Sequence, residues 1–463
     1  MSEEMKTLRK QLLRDSRSGY DVLEEAQLRQ MEDYCADYKA FLGNKTERLS
    51  ARAAIAAAEA HGFVEYRRGM ALEAGDKVYT CNRGKGLMLA VMGRESMAEG
   101  VQIAAAHIDS PRLDLKPNPL YEDSELAYFK THYYGGIRKY QWVTIPLQLQ
   151  GVVVKKDGTA VEVCIGEKGE PQLVITDLLP HLGGEQGKKP LSEAIPAETL
   201  NILLGSRPIG DEDDSDRVKL HVMKRLYDKY GITEADFASA ELEAVPAADA
   251  VDIGIDGSMI GSYGHDDRVC GYAALRALLE LDAPAKTAVC VLADKEEIGS
   301  MGVTGMQSAV FETFLSDLCD SQSVPLKVCF ENSFCLSADV TAAYDPNFAD
   351  VFDKKNAAFL NHGVGLCKYT GARGKSGSSD AGAETVAYVR SLLDGAGVRW
   401  QICELGKVDA GGGGTVAQYM ANRNIATLDA GVPVLSMHAP FEVVAKLDCY
   451  EMYRACKAVY EAR

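Results

Sequence analysis

Short apolar segments that alternate with helical ones constrain the fold of this chain more than any other feature of its sequence. GLMLAVMG (86–93) and GVQIAAAHID (100–109) are bounded by glycine or charge, which is typical of buried strands. HDDRVCGYAALRALLELD (265–282) predicts a helix, and TAVCVLADKEEIGS (287–300) predicts a strand followed by a turn. Strands that alternate with helices indicate an α/β fold around a mixed sheet, whose ligands bind beyond the carboxyl ends of the strands.

Between residues 121 and 251 this alternation of strands and helices gives way to segments typical of β-strands alone. Segments of alternating polarity such as WVTIPLQLQGVVVKK (142–156) and AVEVCIGE (160–167) are separated by glycine, proline and the acidic stretch GDEDDSD (210–216). A chain of 463 residues also exceeds what one hydrophobic core usually spans. We therefore predict a discontinuous α/β domain, 1–120 with 252–463, and a β-rich inserted domain, 121–251.

The composition argues against several classes of partner. Hydrophobic residues make up 46% and charged residues 25%, as in average globular proteins, and no apolar stretch reaches the roughly 18 residues of a membrane span. A net charge of −17 without a Lys/Arg-rich run disfavours nucleic acid and anionic membranes as partners. The amino terminus lacks the apolar core of a signal peptide, and the twelve cysteines form no CxxC pair. These features predict a cytoplasmic protein with buried thiols.

Polar or charged residues end the apolar segments at AAAHIDSP, GHDDR, LADKEEIGS, LSADV and LSMHAP, which should bring them together at one edge of the sheet. Clustered carboxylates repel one another unless divalent cations lie between them. A mixture of histidine and carboxylate ligands suits zinc, with cobalt or manganese as substitutes. The predicted metal ligands are His107, Asp266, Glu297, Asp339 and His438.

Five longer segments resemble one known family. AAHIDSPRLDLKP, YGHDDRVCGYAAL, DKEEIGSMG, SADV followed by DPN, and LSMHAP are similar to the M18 metallo-aminopeptidases, the aspartyl aminopeptidase family, and particularly to its bacterial branch. The resemblance extends over nearly the whole chain in the right order, and the combination is far more specific than any single motif. It implies a hydrolase that removes the N-terminal residue of peptides with two divalent metal ions, most often Zn²⁺.

The resemblance also implies a role for each ligand. His107 and Asp339 would bind one ion, Glu297 and His438 the other, and Asp266 would bridge the two.

Four further residues receive roles from the resemblance. Asp109 resembles the aspartate that orients the metal-binding histidine, and Glu296 resembles the general base that takes a proton from the attacking water. Lys368 resembles a basic position near the substrate pocket, and His181 resembles a histidine that reaches the site of a neighbouring subunit. The inserted domain resembles one that forms dimers and then a dodecamer.

One departure from the family pattern concerns specificity. Relatives of the eukaryotic enzymes carry histidines after the metal-binding aspartate, whereas this chain has Ala342 and Asp345 there. A preference for N-terminal Asp or Glu is therefore an expectation from the family alone. Two alternatives stay open on the sequence: a two-metal amidohydrolase or carboxypeptidase, and a scaffold with a vestigial site.

Overall fold

The computed structural model describes residues 2–14 and 17–463. The α-helices in this part of the chain are α1 (Glu3–Leu12), α2 (Glu25–Phe41), α3 (Glu47–Ala60), α4 (Leu191–Ala194), α5 (Arg217–Tyr230), α6 (His265–Leu279), α7 (Val310–Asp320), α8 (Leu326–Glu331), α9 (Ala383–Gly395), α10 (Ala417–Ala421) and α11 (Lys446–Tyr460). None of the helices in these two ranges is both long and apolar enough to cross a membrane.

A nine-stranded mixed sheet forms the centre of the molecule. In spatial order its strands are β1 (Val64–Glu65), β2 (Lys77–Asn82), β3 (Gly86–Val91), β13 (Thr287–Ala293), β4 (Val101–His107), β14 (Phe334–Ala338), β20 (Ala426–Gly431), β16 (Val364–Cys367) and β18 (Trp400–Ile402). Strands β13, β4, β14 and β20 run parallel to one another. Their carboxyl ends therefore lie at the same edge of the sheet.

Both faces of this sheet are covered, which explains why its strands read as continuous apolar segments. In β4, Ala104 and Ala106 pack in a core with α2, α3, α6 and α11. Ile103 and Ala105 point to the opposite face and pack in a second core with α7 and α8. Alternate side chains of one strand thus enter two cores.

A second, six-stranded sheet takes most of its strands from the segment predicted to be β-rich. Its spatial order is β8 (Ala160–Ile165), β7 (Leu147–Val154), β10 (Ala240–Pro246), β5 (Arg112–Asp123), β6 (Leu126–Tyr134) and β9 (Ile202–Gly205), all antiparallel. It has its own core, which includes Phe129, Trp142 and Phe237. The predicted boundary between residues 120 and 121 falls inside β5, because this strand begins only five residues after β4 ends.

A five-stranded sheet lies beside the central one, in the order β11 (Val251–Ile253), β12 (Met259–Ser262), β22 (Glu442–Ala445), β21 (Pro433–Leu435) and β15 (Thr341–Ala342). Two glycine-rich segments, β17 (Gly371–Ala372) and β19 (Gly412–Gly413), pair separately. The molecule is a mixed α/β fold with several sheets, as the sequence predicts at that level.

Candidate metal centre

The central sheet supplies part of the predicted site at the carboxyl ends of three parallel strands. His107 is the last residue of β4, Glu296 and Glu297 lie in a helical turn just after β13, and Asp339 directly follows β14. Because these strands are neighbours in the sheet, their ends are adjacent in space.

The other two predicted ligands come from the five-stranded sheet. Asp266 lies at the start of α6, shortly after β12, and His438 lies three residues after β21. The expectation that all five residues end strands of one sheet is therefore wrong in this respect. Strands β12 and β21 are joined through β22 rather than through the central sheet, and a sequence of apolar segments does not reveal which sheet each strand enters.

Asp266 lies at the middle of the cluster. Its Oδ1 is 3.2 Å from Nε2 of His107, and its Oδ2 is 3.2 Å from Nε2 of His438. Asp339 lies on the His107 side, with its Oδ1 3.8 Å from Nε2, and Glu297 lies on the His438 side, with its Oε2 3.6 Å from Nε2. The five side chains thus form two groups that share one carboxylate.

Both histidines direct Nε2 into the cluster because Nδ1 has another partner. Nδ1 of His107 is 2.9 Å from the main-chain oxygen of Asp109, and Nδ1 of His438 is 2.9 Å from the main-chain oxygen of Gly136. A carbonyl oxygen only accepts hydrogen bonds, so Nδ1 must carry the proton in each ring. In the neutral imidazole this leaves the lone pair of Nε2 free to bind a metal.

Asp109 lies behind His107 and is completely buried. Two oxygens of Asp109 approach Nδ1 of His107: the main-chain oxygen at 2.9 Å and Oδ1 at 3.3 Å. Both oxygens therefore help to orient the ring. The same carboxylate accepts hydrogen bonds from the main-chain nitrogens of Glu296 (3.1 Å) and Glu297 (3.3 Å). Asp109 therefore holds the turn that carries both glutamates, in addition to the contact that the sequence suggests.

A second supporting carboxylate, that of Glu442, was not predicted from the sequence. Glu442 is buried, and its two oxygens accept hydrogen bonds from the main-chain nitrogens of His438 (2.6 Å) and Asp266 (3.1 Å). Burial raises the pKa of Glu442 to about 8, and the nearby charge of Asp266 adds to this effect. It lies four residues after His438, and nothing in that spacing distinguishes it from an ordinary surface glutamate.

The pKa values of the buried carboxylates indicate whether the cluster suits metal ions. Burial, together with neighbouring carboxylates, raises the pKa of Glu297 and Asp339 well above the ordinary range. Oε1 of Glu297 is buried without a hydrogen-bond partner. Crowded, buried carboxylates of this kind are stabilised in ionised form by divalent cations. Nitrogen and oxygen donors in this combination are ordinary zinc ligands, so the residues fit the metal that the sequence predicts.

Asp267 belongs to the same cluster. A ligand atom from each of His107, Asp267 and Asp339 lies within 4.8 Å of the others, and the same holds for His107, Asp266 and Glu297. Asp267 is fully buried, neither of its carboxylate oxygens has a hydrogen-bond partner, and burial raises its pKa well above the ordinary value. Its position next to Asp266 in the sequence does not reveal this role.

The accessible side of the cluster is defined by two residues. The side chain of His438 is 33% exposed and that of Glu296 is 17% exposed, whereas His107 is 1% exposed. Oε2 of Glu296 lies 3.9 Å from Nε2 of His107. Burial raises the pKa of Glu296 to about 7, and Asp109 and Asp266 reinforce this while the two histidines oppose it.

The two predicted substrate-binding residues lie in other environments. Lys368 directly follows β16 and is about half exposed, with its Nζ 3.7 Å from Oδ1 of Asp380. His181 lies on an exposed turn between β8 and β9. Within the described chain, neither forms a hydrogen bond or an ion pair with the five predicted metal ligands.

Comparisons with known proteins agree on one family. The family model described as aminopeptidase I zinc metalloprotease (M18) matches residues 44–460. A probable M18 family aminopeptidase 1 of Clostridium acetobutylicum is 48% identical over 450 residues, which cover 95% of this chain and 97% of the relative. One of Thermotoga maritima is 44% identical over 439 residues, covering 93% and 96%.

Solved structures give the same result. The crystal structure of the Thermotoga maritima M18 aminopeptidase matches with a TM-score of 0.93 at 42% identity, covering 97% of this chain and 99% of that one. That of aminopeptidase I from Clostridium acetobutylicum matches with a TM-score of 0.92 at 44% identity, covering 97% and 100%. With matches over almost its full length, the chain belongs to the M18 family of zinc metallo-aminopeptidases and is a hydrolase of that class.

Proposed function

We propose that the chain removes the N-terminal residue of peptides with two metal ions, one bound by His107 and Asp339, the other by Glu297 and His438, and both by Asp266. The position of Asp266 carries this proposal, because its two oxygens lie at equal distances, 3.2 Å, from the Nε2 atoms of the two histidines. A carboxylate that divides its oxygens between two ligand groups is suited to bridge two ions.

The chemistry divides between the ions and the protein. Zinc ions held by these residues would supply Lewis-acid chemistry: they would acidify a bound water and stabilise negative charge on the peptide carbonyl oxygen. Glu296 is partly exposed and lies at the rim of the cluster, so it can accept a proton from the attacking water and pass it to the leaving amine. Asp109 does not reach the opening; it positions His107 and the turn of the two glutamates.

A direct test measures metal content and substrate choice together. The protein is stripped with a chelator, reloaded with zinc, manganese or cobalt, and assayed with a panel of amino-acid p-nitroanilides and their N-acylated counterparts. We expect two equivalents of metal per chain at full activity and hydrolysis only where the α-amine is free. Full activity at one equivalent would contradict the two-metal assignment, and cleavage of N-acylated substrates would favour the amidohydrolase alternative.

We also propose that the enzyme prefers peptides whose N-terminal residue is Asp or Glu. Lys368, Arg373 and Lys375 make the loop after β16 locally basic in a chain of net charge −17. A basic loop attracts an anionic substrate side chain. The same p-nitroanilide panel, extended to N-terminal Asp and Glu, measures this preference.

The assembly and its domains are also proposed. We assign residues 1–120 with 252–463 to the catalytic domain and 121–251 to a domain that joins subunits into dimers and a dodecamer. Leu178, Leu179 and Leu182 are exposed on either side of His181, which suits a surface covered by another subunit. One structural neighbour at 22% identity, mApe1 of S. cerevesiae, is described as a dodecamer.

A cytoplasmic location is proposed on chemical grounds. All twelve cysteines are free thiols, and ten of them are buried. Free thiols in this number suit a reducing compartment.

A further inference from the structure

A segment of the second sheet passes directly behind the metal centre. Tyr134 is the last residue of β6, and Gly135 and Gly136 follow it. These three consecutive residues contact, in order, Asp109, Glu297 and His438. We propose that Tyr134–Gly136 is a positioning segment of the metal centre, so that the β-rich domain helps to build the active site of its own subunit. The inference rests on the proposed ligand roles of Glu297 and His438.

Tyr134 completes the surroundings of Asp109. Its hydroxyl donates a hydrogen bond of 2.8 Å to Oδ2 of Asp109, the oxygen that also accepts from the main-chain nitrogen of Glu297. The guanidinium of Arg112 lies over the Tyr134 ring, 3.9 Å from its centroid, and fixes the ring from the other side. Without the hydroxyl, a buried carboxylate oxygen would keep only the longer bond from Glu297, and the turn of the two glutamates would be less firmly held.

Gly135 and Gly136 allow the backbone to approach the ligands closely. A Cβ on Gly135 would lie 3.1 Å from Oε2 of Glu297, and one on Gly136 would lie 3.2 Å from Nδ1 of His438. Gly135 also has a φ of +74°, which other residues rarely adopt. The main-chain oxygen of Gly136 accepts the Nδ1 proton of His438 and thereby fixes its tautomer.

The segment offers no ligand to a metal, yet each of its residues limits the position of a group in the centre. A connection that only joined two domains would not require a hydroxyl to a buried carboxylate, a missing side chain against Glu297 and a carbonyl to His438 in immediate succession. Partners of this kind change metal affinity or activity about 10–100-fold when they are removed.

Two variants of the full-length protein test the segment, each with a matched control. Tyr134→Phe removes the hydroxyl, and Gly136→Ala displaces His438 without a positive φ to strain the backbone. Tyr133→Phe alters the exposed neighbouring tyrosine, and Gly395→Ala, at the end of α9, adds a methyl group where no atom lies within 4 Å. The readouts are the affinity of the chelator-stripped protein for Zn²⁺, measured against a chromophoric chelator, and the visible absorption spectrum with Co²⁺.

We expect both test variants to bind Zn²⁺ about 10-fold more weakly or worse and to alter the Co²⁺ spectrum, while both controls match the wild type. Wild-type affinity and spectrum in both test variants would overturn the proposal, even if their melting temperatures fell. A segment with a purely structural role would lower the melting temperature without changing metal affinity or the Co²⁺ spectrum. Glu297→Ala is measured in parallel. If it loses metal while the two test variants do not, the positioning role fails and the ligand assignment stands; if it retains both ions, the ligand assignment itself fails.

Discussion

Glu296 and Glu297 are neighbours in the chain but occupy different surroundings. The side chain of Glu297 is 3% exposed and lies 3.6 Å from Nε2 of His438, whereas that of Glu296 is 17% exposed at the rim. We expect Glu296→Gln to keep both metal ions and the fold while kcat falls by at least about 100-fold, because the amide cannot accept a proton. Glu297→Ala should instead lose an ion together with activity.

Metal analysis and steady-state kinetics on both variants check this prediction. Glu297→Gln serves as a control for side-chain size, since it retains one oxygen for the metal and should lose less metal than Glu297→Ala. If Glu296→Gln loses one equivalent of metal and Glu297→Ala retains two, the proposed roles of the two glutamates are reversed.

Lys368 gives a prediction about specificity. If its ammonium group binds an acidic substrate side chain, Lys368→Met should lower kcat/KM for N-terminal Asp or Glu by about 10-fold, as expected for the loss of one charge-assisted hydrogen bond of about 1.5 kcal/mol. Neutral N-terminal residues should be affected little. Lys375→Met removes another charge of the same loop, one that pairs with Asp380 at 3.1 Å from Nζ to Oδ1, and should lower kcat/KM for acidic residues by less, because only the general attraction of the basic loop is weakened. An equal loss for acidic and neutral substrates would contradict this role.

The residues predicted to bind metal are easier to find in the sequence than the residues that support them. His107, Asp266 and Glu297 end apolar segments or begin a helix, and each position is visible in the printed sequence. Glu442 and Tyr134 act through hydrogen bonds to groups 176 and 25 residues away. Long-range contacts of this kind depend on the packing of three sheets, which no local pattern records.

At the scale of secondary structure, the start of α3 is joined to the second sheet by buried charges. Glu47 and Glu243 are both fully buried and face the guanidinium of Arg112, at 3.5 and 3.2 Å. Burial raises the pKa of Glu243 well above its ordinary 4.5 despite the attraction of Arg112, and the charge of Glu47 adds to the increase. Glu47 also faces Lys85, with 3.4 Å between Oε1 and Nζ, and although burial opposes it, the attraction of Arg112 and Lys85 lowers the pKa of Glu47. The favoured state therefore has Glu47 ionised and Glu243 protonated.

This cluster predicts a pH dependence of stability. Since the folded state holds the proton of Glu243 more tightly than the unfolded state, its contribution to the free energy of unfolding is lost as the pH rises from 4.5 towards the raised pKa. Glu243→Gln mimics the protonated form, so the variant should become more stable relative to the wild type as the pH increases. Urea denaturation over a pH series measures the difference.

Glu241, which lies on β10 with Glu243, should show the opposite dependence of stability on pH. Arg48 and Lys85 outweigh its partial burial and lower its pKa, so its contribution to stability appears as the pH rises. Glu241→Gln should therefore lose stability relative to the wild type with increasing pH. The same trend in both variants would contradict the assignment of charge states.

Elements with strong local signals are those that the sequence predicted well. Ala and Leu at helical spacing in TERLSARAAIAAAEAHGF (46–63) predict a helix that stops near Gly62, and the structure has α3 there. It begins after Thr46, whose Oγ1 accepts a hydrogen bond from the main-chain nitrogen of Leu49, and it ends before Gly62, which has a φ of +85°. The passage from the central sheet to the second sheet lacks such a signal. Strand β5 begins while the chain still reads as part of the metal-site motif, AAHIDSPRLDLKP.

At the scale of the whole molecule, the second sheet ends in two edge strands, β8 and β9. Edge strands and the exposed leucines around His181 are surfaces that proteins usually cover by association. We expect light scattering at micromolar concentration to show a large closed oligomer, with a dodecamer as the expected state. A stable monomer under these conditions would contradict the proposed assembly.

Whether neighbouring subunits share a site can be decided by mixing two inactive variants. His181→Ala would lack the histidine supplied to a neighbour, and Glu296→Gln would lack its own proton acceptor. In a mixed oligomer, a His181→Ala subunit keeps Glu296 and receives His181 from a Glu296→Gln neighbour. Random mixing in equal amounts should therefore restore about a quarter of the wild-type activity.

His61→Ala, a change at another exposed histidine, should remain fully active as a single variant. Mixed oligomers verified by mass that stay inactive would show that His181 does not act in the site of its neighbour, and an active His181→Ala protein would exclude an essential role altogether.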